Sequence, residues 1–227
     1  MTMTMTHDLK SLKHFTGLLA YNVWNHHIPL RNVLVKQGNM KIPSSTAIFN
    51  MGSATECPSR KLGLCSADRA GVKCYALKAE QNKLWPHILP FRMRQEKFWK
   101  EITAESYAVQ FLTINALKVK PFNALRLNES GDFWSQDCVK KAEKIARILK
   151  MYGVITYCYT SRSDLDYSKV EALKISGSGF KTKGVVNIFK IIDRIEDKPK
   201  GYGVCPMDCK VCNRCMKGGL KTVVIAH

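Results

Sequence analysis

FNALRLNES (residues 122–130), SQDCVKKAEKIARILKMYG (135–153) and VITYCYT (154–160) follow one another with only GDFW between the first two. The outer segments each hold a short, mostly apolar stretch, ALRL and VITYCY, the second rich in β-branched and aromatic residues, which predicts strands. The middle one keeps Cys138, Val139, Ala142, Ile145, Ile148 and Leu149 at helical spacing. Ser135 stands at its N-cap, Asp137 in its first turn and Gly153 at its end, so start and stop signals agree with the periodicity. Strand, helix, strand in direct series implies parallel strands joined by a right-handed crossover.

Working outward, TAIFNMGS (46–53) predicts an earlier strand closed by Gly52, and VVNIFKII (185–192) and KTVVIA (221–226) predict two later ones. Between Pro90 and Leu117 the positions Phe91, Phe98, Ile102, Val109 and Leu112 predict one long helix, with Pro90 in its first turn. LDYSKVEALKIS (165–176) predicts a short helix, and SGSGFKTKG (176–184) a turn. Residues 8–22 predict another short helix on Leu9, Leu12, Phe15 and Leu18. The expected organisation is an extension over 1–40 and one α/β domain over 41–227. Its fold is a partial parallel α/β barrel or an open parallel sheet, carrying cysteine-rich metal-binding loops, the last over 203–219.

Nine cysteines stand in 227 residues. Cys205, Cys209, Cys212 and Cys215 lie within one short run, too close in sequence for ordinary disulfide geometry. MTMTMTHDLKSLKHF has no apolar stretch of signal length, which points to a reducing cytoplasm. Clustered thiols there bind metal. The central gap is shorter than in paired zinc knuckles, whereas iron–sulfur proteins use such tight runs; zinc is the alternative. Cys57, Cys65 and Cys74 follow the first strong strand, separated by seven and eight residues. Three thiols can hold a four-iron cluster and leave one iron open to a small molecule, or they can complete one site shared with the C-terminal run. Cys138 and Cys158 fall inside predicted elements and are assigned to the core, so the nine cysteines suit one or two clusters.

The charge is strongly positive: 36 Lys and Arg against 18 Asp and Glu, a formal +18. Such a field attracts polyanions, nucleic acid first. A solvated, solubilising surface is the alternative. No stretch pairs a clean apolar face with a basic one, and no apolar run approaches a membrane span, so no membrane partner is expected.

Four blocks in fixed order, CPSRKLGLCSADRAGVKCYA, RLNESGDFWS, YCYTSRS and the C-terminal cysteine run, resemble the bacteriophage gene product 88 family over roughly residues 40–220. The resemblance implies a host bacterial cytoplasm. The loop ending in Cys-Tyr-Ala is in turn similar to that of radical S-adenosylmethionine (SAM) enzymes. That similarity implies Cys57, Cys65 and Cys74 as ligands of a four-iron cluster, Tyr75 as the adjacent aromatic, and SAM as a possible ligand.

Polar groups gather after two of the predicted strands. Asn128, Glu129, Ser130 and Asp132 follow ALRL; Ser161 and Arg162 follow VITYCY. In parallel α/β folds these ends share one rim. Glu129, Asp132 and Arg162 are therefore candidate catalytic residues, and Asn128, Ser130 and Ser161 candidate cofactor-binding residues. Ordinary helix capping is the competing role. Two functions follow: a radical-SAM-like iron–sulfur enzyme acting on nucleic acid, or a basic metalloprotein that binds DNA, RNA or a host polymerase without catalysis.

Overall fold

The computed structural model describes residues 34–65, 71 and 73–225. The helix expected over 8–22 lies outside them. In chain order the elements are β1 (Lys36–Gln37), β2 (Thr46–Phe49), α1 (Pro58–Lys61), α2 (Tyr75–Glu80), α3 (Ile88–Glu101), α4 (Ala104–Ala116), β3 (Ala124–Leu127), α5 (Gln136–Met151), β4 (Ile155–Thr160), β5 (Lys174–Ser178), β6 (Val185–Ile192), β7 (Gly203–Val204) and β8 (Lys221–Ile225). Single 3₁₀ turns cover Ile195–Asp197 and Arg214–Met216.

Eight strands form one sheet in the order β1-β2-β3-β4-β5-β6-β8-β7. Only β1 runs antiparallel to its neighbour; every other pairing is parallel. The sheet is open, so of the two architectures expected the open parallel sheet is the one formed. β1 falls within the stretch expected as an extension and is a member of this sheet.

Register fixes what each face carries, because alternate side chains point to opposite sides. Ala47 and Phe49 align with Leu125 and Leu127, then with Thr156 and Cys158, then with Ile175. Most of these side chains belong to the main core, where Val139, Ala142, Ile145 and Leu149 of α5 and Tyr107, Ala108 and Phe111 of α4 meet them. Cys158 is fully buried there, and Cys138 sits at the core edge accepting from the Trp99 indole N–H at 3.5 Å. The opposite face presents Arg126, Tyr157, Tyr159, Ser176, Asn187 and Phe189.

Two sequence expectations need correction. The helix expected from 91 through 117 is two helices, α3 and α4, because Thr103 takes extended backbone and its hydroxyl accepts from the Ser106 amide at 3.2 Å. That is an N-cap, and the sequence signal was Thr103 itself before a fresh helical turn. The segment 165–173 forms no helix. The buried Glu143 carboxylate on α5 accepts from the amides of Glu171, Ala172 and Leu173 at 2.9–3.2 Å. Those donors are thereby taken by a distant side chain rather than by carbonyls four residues back. The chain then enters β5 directly, a strand that KISGS did not announce.

Candidate functional site

The loops after β2, β3 and β4 meet at the carboxyl edge of the sheet, and a web of buried polar groups locks them together. Glu80 on α2 accepts from the amides of Ala54 and Thr55 at 2.7 and 2.9 Å, from the Thr55 hydroxyl at 2.9 Å and from the Ser130 hydroxyl at 3.1 Å. Arg92 on α3 pairs with it at 2.9 Å. Burial alone would raise the Glu80 carboxyl, but the donors from Ala54, Arg92 and Thr55 outweigh it and hold the group below its usual range. Asn50 joins Gln95 at 2.9 Å and accepts from the Ser130 amide at 2.8 Å. Gly131 (φ 73°) is pressed against Gly52, so that a Cβ there would lie 2.7 Å from the Gly52 carbonyl oxygen.

The expected rim residues divide by role. Asp132 is buried and accepts from Ser59 Oγ at 2.5 Å, from the Ser161 amide at 2.9 Å and from the Phe133 amide at 2.8 Å. It therefore clasps the cysteine loop to the ends of β3 and β4. Burial pushes its carboxyl up, against the hydrogen bonds it accepts. Arg162 is occupied by a two-pronged pair with Asp164 at 2.8 Å and by the carbonyls of Phe133 and Trp134. Glu129 accepts from Asn39 Nδ2 at 2.6 Å, and its carbonyl accepts from the Tyr75 hydroxyl at 2.6 Å. Asn128 adopts φ 60°, its backbone N–H donating to the Phe49 carbonyl at 3.0 Å and its side-chain Nδ2 buried without a partner. Ser130 and Ser161 serve the web through their hydroxyl and amide respectively.

No disulfide joins any of the nine cysteines. Cys57 caps α1 and Cys74 caps α2, so both thiols stand where a helix begins at this edge. Burial pushes the Cys57 thiol up to about 12, with the Asp132 and Cys65 charges adding to it. Cys57 thus stands within electrostatic reach of both Asp132 and Cys65.

The C-terminal run lies across the other face of the sheet. The Arg214–Met216 turn packs on β4 and β5. Tyr159 donates to Cys215 Sγ at 2.7 Å, and Asn187 Nδ2 donates to the Cys215 carbonyl at 3.0 Å. The Cys209 amide donates to the Lys41 carbonyl at 2.9 Å. Burial raises the thiols of both Cys209 and Cys215; Cys205 and Cys212 raise them further, and Arg126 pulls the other way. Each thiolate formed here makes the next harder to form, which is the electrostatic problem a bound cation solves. Among the described residues no three His, Cys, Asp or Glu side chains are drawn together tightly enough to form a metal-holding group.

Arg126 is the residue that sequence reasoning missed. It projects from the middle of β3 onto this face, its guanidinium 5.2 Å from the Tyr159 ring, and its Nε is buried without a hydrogen-bond partner. A lone arginine inside an otherwise apolar strand was the available signal. A separate cleft of about 530 Å³ between residues 53–56 and α3 is lined by no cysteine. Its Glu96 pairs with Lys100 and its Glu101 with Lys97. No helix of the described residues is long and apolar enough to cross a membrane.

Fold and site together define an open, mostly parallel α/β protein with thiols at the carboxyl edge and over one face of its sheet. The chain matches the family described as Gene product 88 over residues 29–175, more than half its length, and belongs to that family. The C-terminal cysteine run lies beyond the matched segment. Searches of curated proteins and of solved structures found no match.

Proposed function

We propose that this chain is an iron–sulfur protein of phage type that binds or acts on nucleic acid. Cys205, Cys209, Cys212 and Cys215 would hold one cluster; Cys57, Cys65 and Cys74 would ligate a second. The observation that carries the reading is Arg126. A guanidinium stays charged at any working pH, and this one is set against Cys209 and Cys215 with its Nε unsatisfied. A buried charge is costly, and the acid that acts on this one is the Glu129 carboxylate. Four thiolates around a metal carry a net negative charge, which would neutralise it. The donor chemistry fits, with four thiols in one short run and Cys215 tied to the sheet, although among the described residues the thiols are not gathered into a metal-holding group. Zinc is the alternative occupant of the same donors.

Three thiols at the carboxyl edge would leave one iron open, and SAM is the ligand that the likeness of this loop to radical SAM enzymes suggests. An open iron would favour an enzyme; fully ligated sites would favour a basic binding protein for DNA, RNA or a polymerase.

The site is tested by Cys209→Ser and Cys212→Ser. Each should lower the metal bound per chain and the melting temperature, since metal binding free energy becomes folding free energy. Unchanged metal content and melting in both variants would contradict the assignment. The +18 charge predicts binding to DNA or RNA that weakens steeply with salt, on the order of 10³-fold between 50 and 200 mM for about six phosphate contacts. Absence of binding at low salt would reduce the charge to a surface property.

A further inference from the structure

Resting on this metal reading, we propose that Tyr159 is the positioning residue of the C-terminal site, fixing Cys215 as the preset ligand and moderating its sulfur through a hydrogen bond. Three observations meet at this side chain. Its hydroxyl donates to Cys215 Sγ at 2.7 Å. Its ring is clamped edge-on by Phe189, with centroids 5.2 Å apart and planes at 79°, and by the Arg126 guanidinium at 5.2 Å. The backbone of Cys215 is held independently, because Asn187 donates to its carbonyl at 3.0 Å and accepts from the Leu220 amide at 3.0 Å. Cys215 is thus tied to the sheet through both its sulfur and its backbone. Cys209 is tied through its amide to Lys41.

The chemistry follows from the donor. A hydrogen bond to a metal-bound thiolate withdraws electron density from sulfur and fixes the direction from which it binds. Losing a residue that orients a ligand in this way typically costs about 10–100-fold in metal affinity. A phenolic hydroxyl ordinarily ionises at about pH 10, so it remains a donor across the working pH range. Tyr107 lies in the main core on the opposite face, its buried hydroxyl without a hydrogen-bond partner, and is the natural control.

The experiment uses the full chain, reduced and stripped of metal, with Zn²⁺ in competition with a chromophoric chelator and Co²⁺ as a spectroscopic probe. Tyr159→Phe keeps the ring and its packing and removes only the donor. It should bind Zn²⁺ about 10–100-fold more weakly than the parent chain. Its sulfur-to-cobalt charge-transfer band should move to lower energy, because an unmoderated thiolate gives up its electron more readily. Tyr107→Phe should leave both readouts unchanged. Metal uptake by the parent chain with Tyr159→Phe unchanged in affinity and band position overturns this inference alone. No thiolate-to-metal band in the parent chain overturns the metal reading and this inference with it.

Discussion

Arg92→Met should destabilise the fold by about 3–5 kcal/mol, because it strips the counter-charge from a buried carboxylate. Arg92 and Glu80 have side chains only 7% and 1% exposed, so water does not replace what is lost. Arg92 also donates to the Ala76 carbonyl at 2.9 Å, which ties α3 to α2. For a chain of this length the change corresponds to a melting shift of about 6–20 °C. A double variant with Glu80→Gln should lose less than the sum of the two single changes, as expected of groups in one network. The pH dependence has a defined sign. Glu80 is held below its ordinary range, so its contribution is present above about pH 4.3 and is lost as pH falls through its folded value. Chemical denaturation from pH 3 to 7 should therefore show a steeper acid loss in the parent than in Glu80→Gln. A loss under about 1 kcal/mol for Arg92→Met would show that the pair does not brace the rim.

Gly184→Ala should cost on the order of 4 kcal/mol or more, the range reserved for a forced backbone rearrangement. Gly184 sits at φ +85° in the turn into β6, and an added Cβ would lie 1.7 Å from the Tyr167 carbonyl oxygen. That oxygen accepts from the Val170 amide at 2.9 Å, and Tyr167 is itself buried with its hydroxyl on the Arg162 carbonyl at 2.7 Å. Neither partner can yield without opening the segment between β4 and β5. Gly201→Ala separates crowding from backbone strain: φ there is +81° with nothing near the added Cβ, and the cost should be about 1–2 kcal/mol. Equal effects at the two positions would contradict the packing described around Tyr167.

The strand–helix–strand unit was legible because each signal in it was local. The α5 stripe, Ser135 at the cap position and Gly153 at φ +74° all lie within the segment they define. What failed was decided elsewhere in the chain. Apolar spacing continues across Ile102 and Thr103, so periodicity alone joined α3 to α4. Glu143 lies some thirty residues from the amides it satisfies, and nothing in LDYSKVEALKIS announces it. β5 reads KISGS, with one large apolar residue; it is a strand because β4 and β6 flank it. At the site, the polar cluster after β3 and β4 was visible as a set. That Arg162 would be consumed by Asp164, and that Asp132 would clasp the cysteine loop through Ser59, depended on loop geometry. Nothing in the sequence around Glu80 or Arg92 marks the two as a buried pair, and Arg126 is marked only as a charge within an apolar strand.

The central claim is that the C-terminal thiols hold a metal over the Arg126 face of the sheet. The direct measurement is iron, acid-labile sulfide and zinc content per chain after anaerobic purification. It is made on the parent and on a variant with Cys205, Cys209, Cys212 and Cys215 all changed to Ser. The account predicts iron and sulfide in the parent in near-equal amounts, and a loss of about four irons per chain in the variant. Zinc in place of iron would keep the site and change its chemistry. A parent chain with neither metal, or a variant with the parent's full content, would contradict the claim.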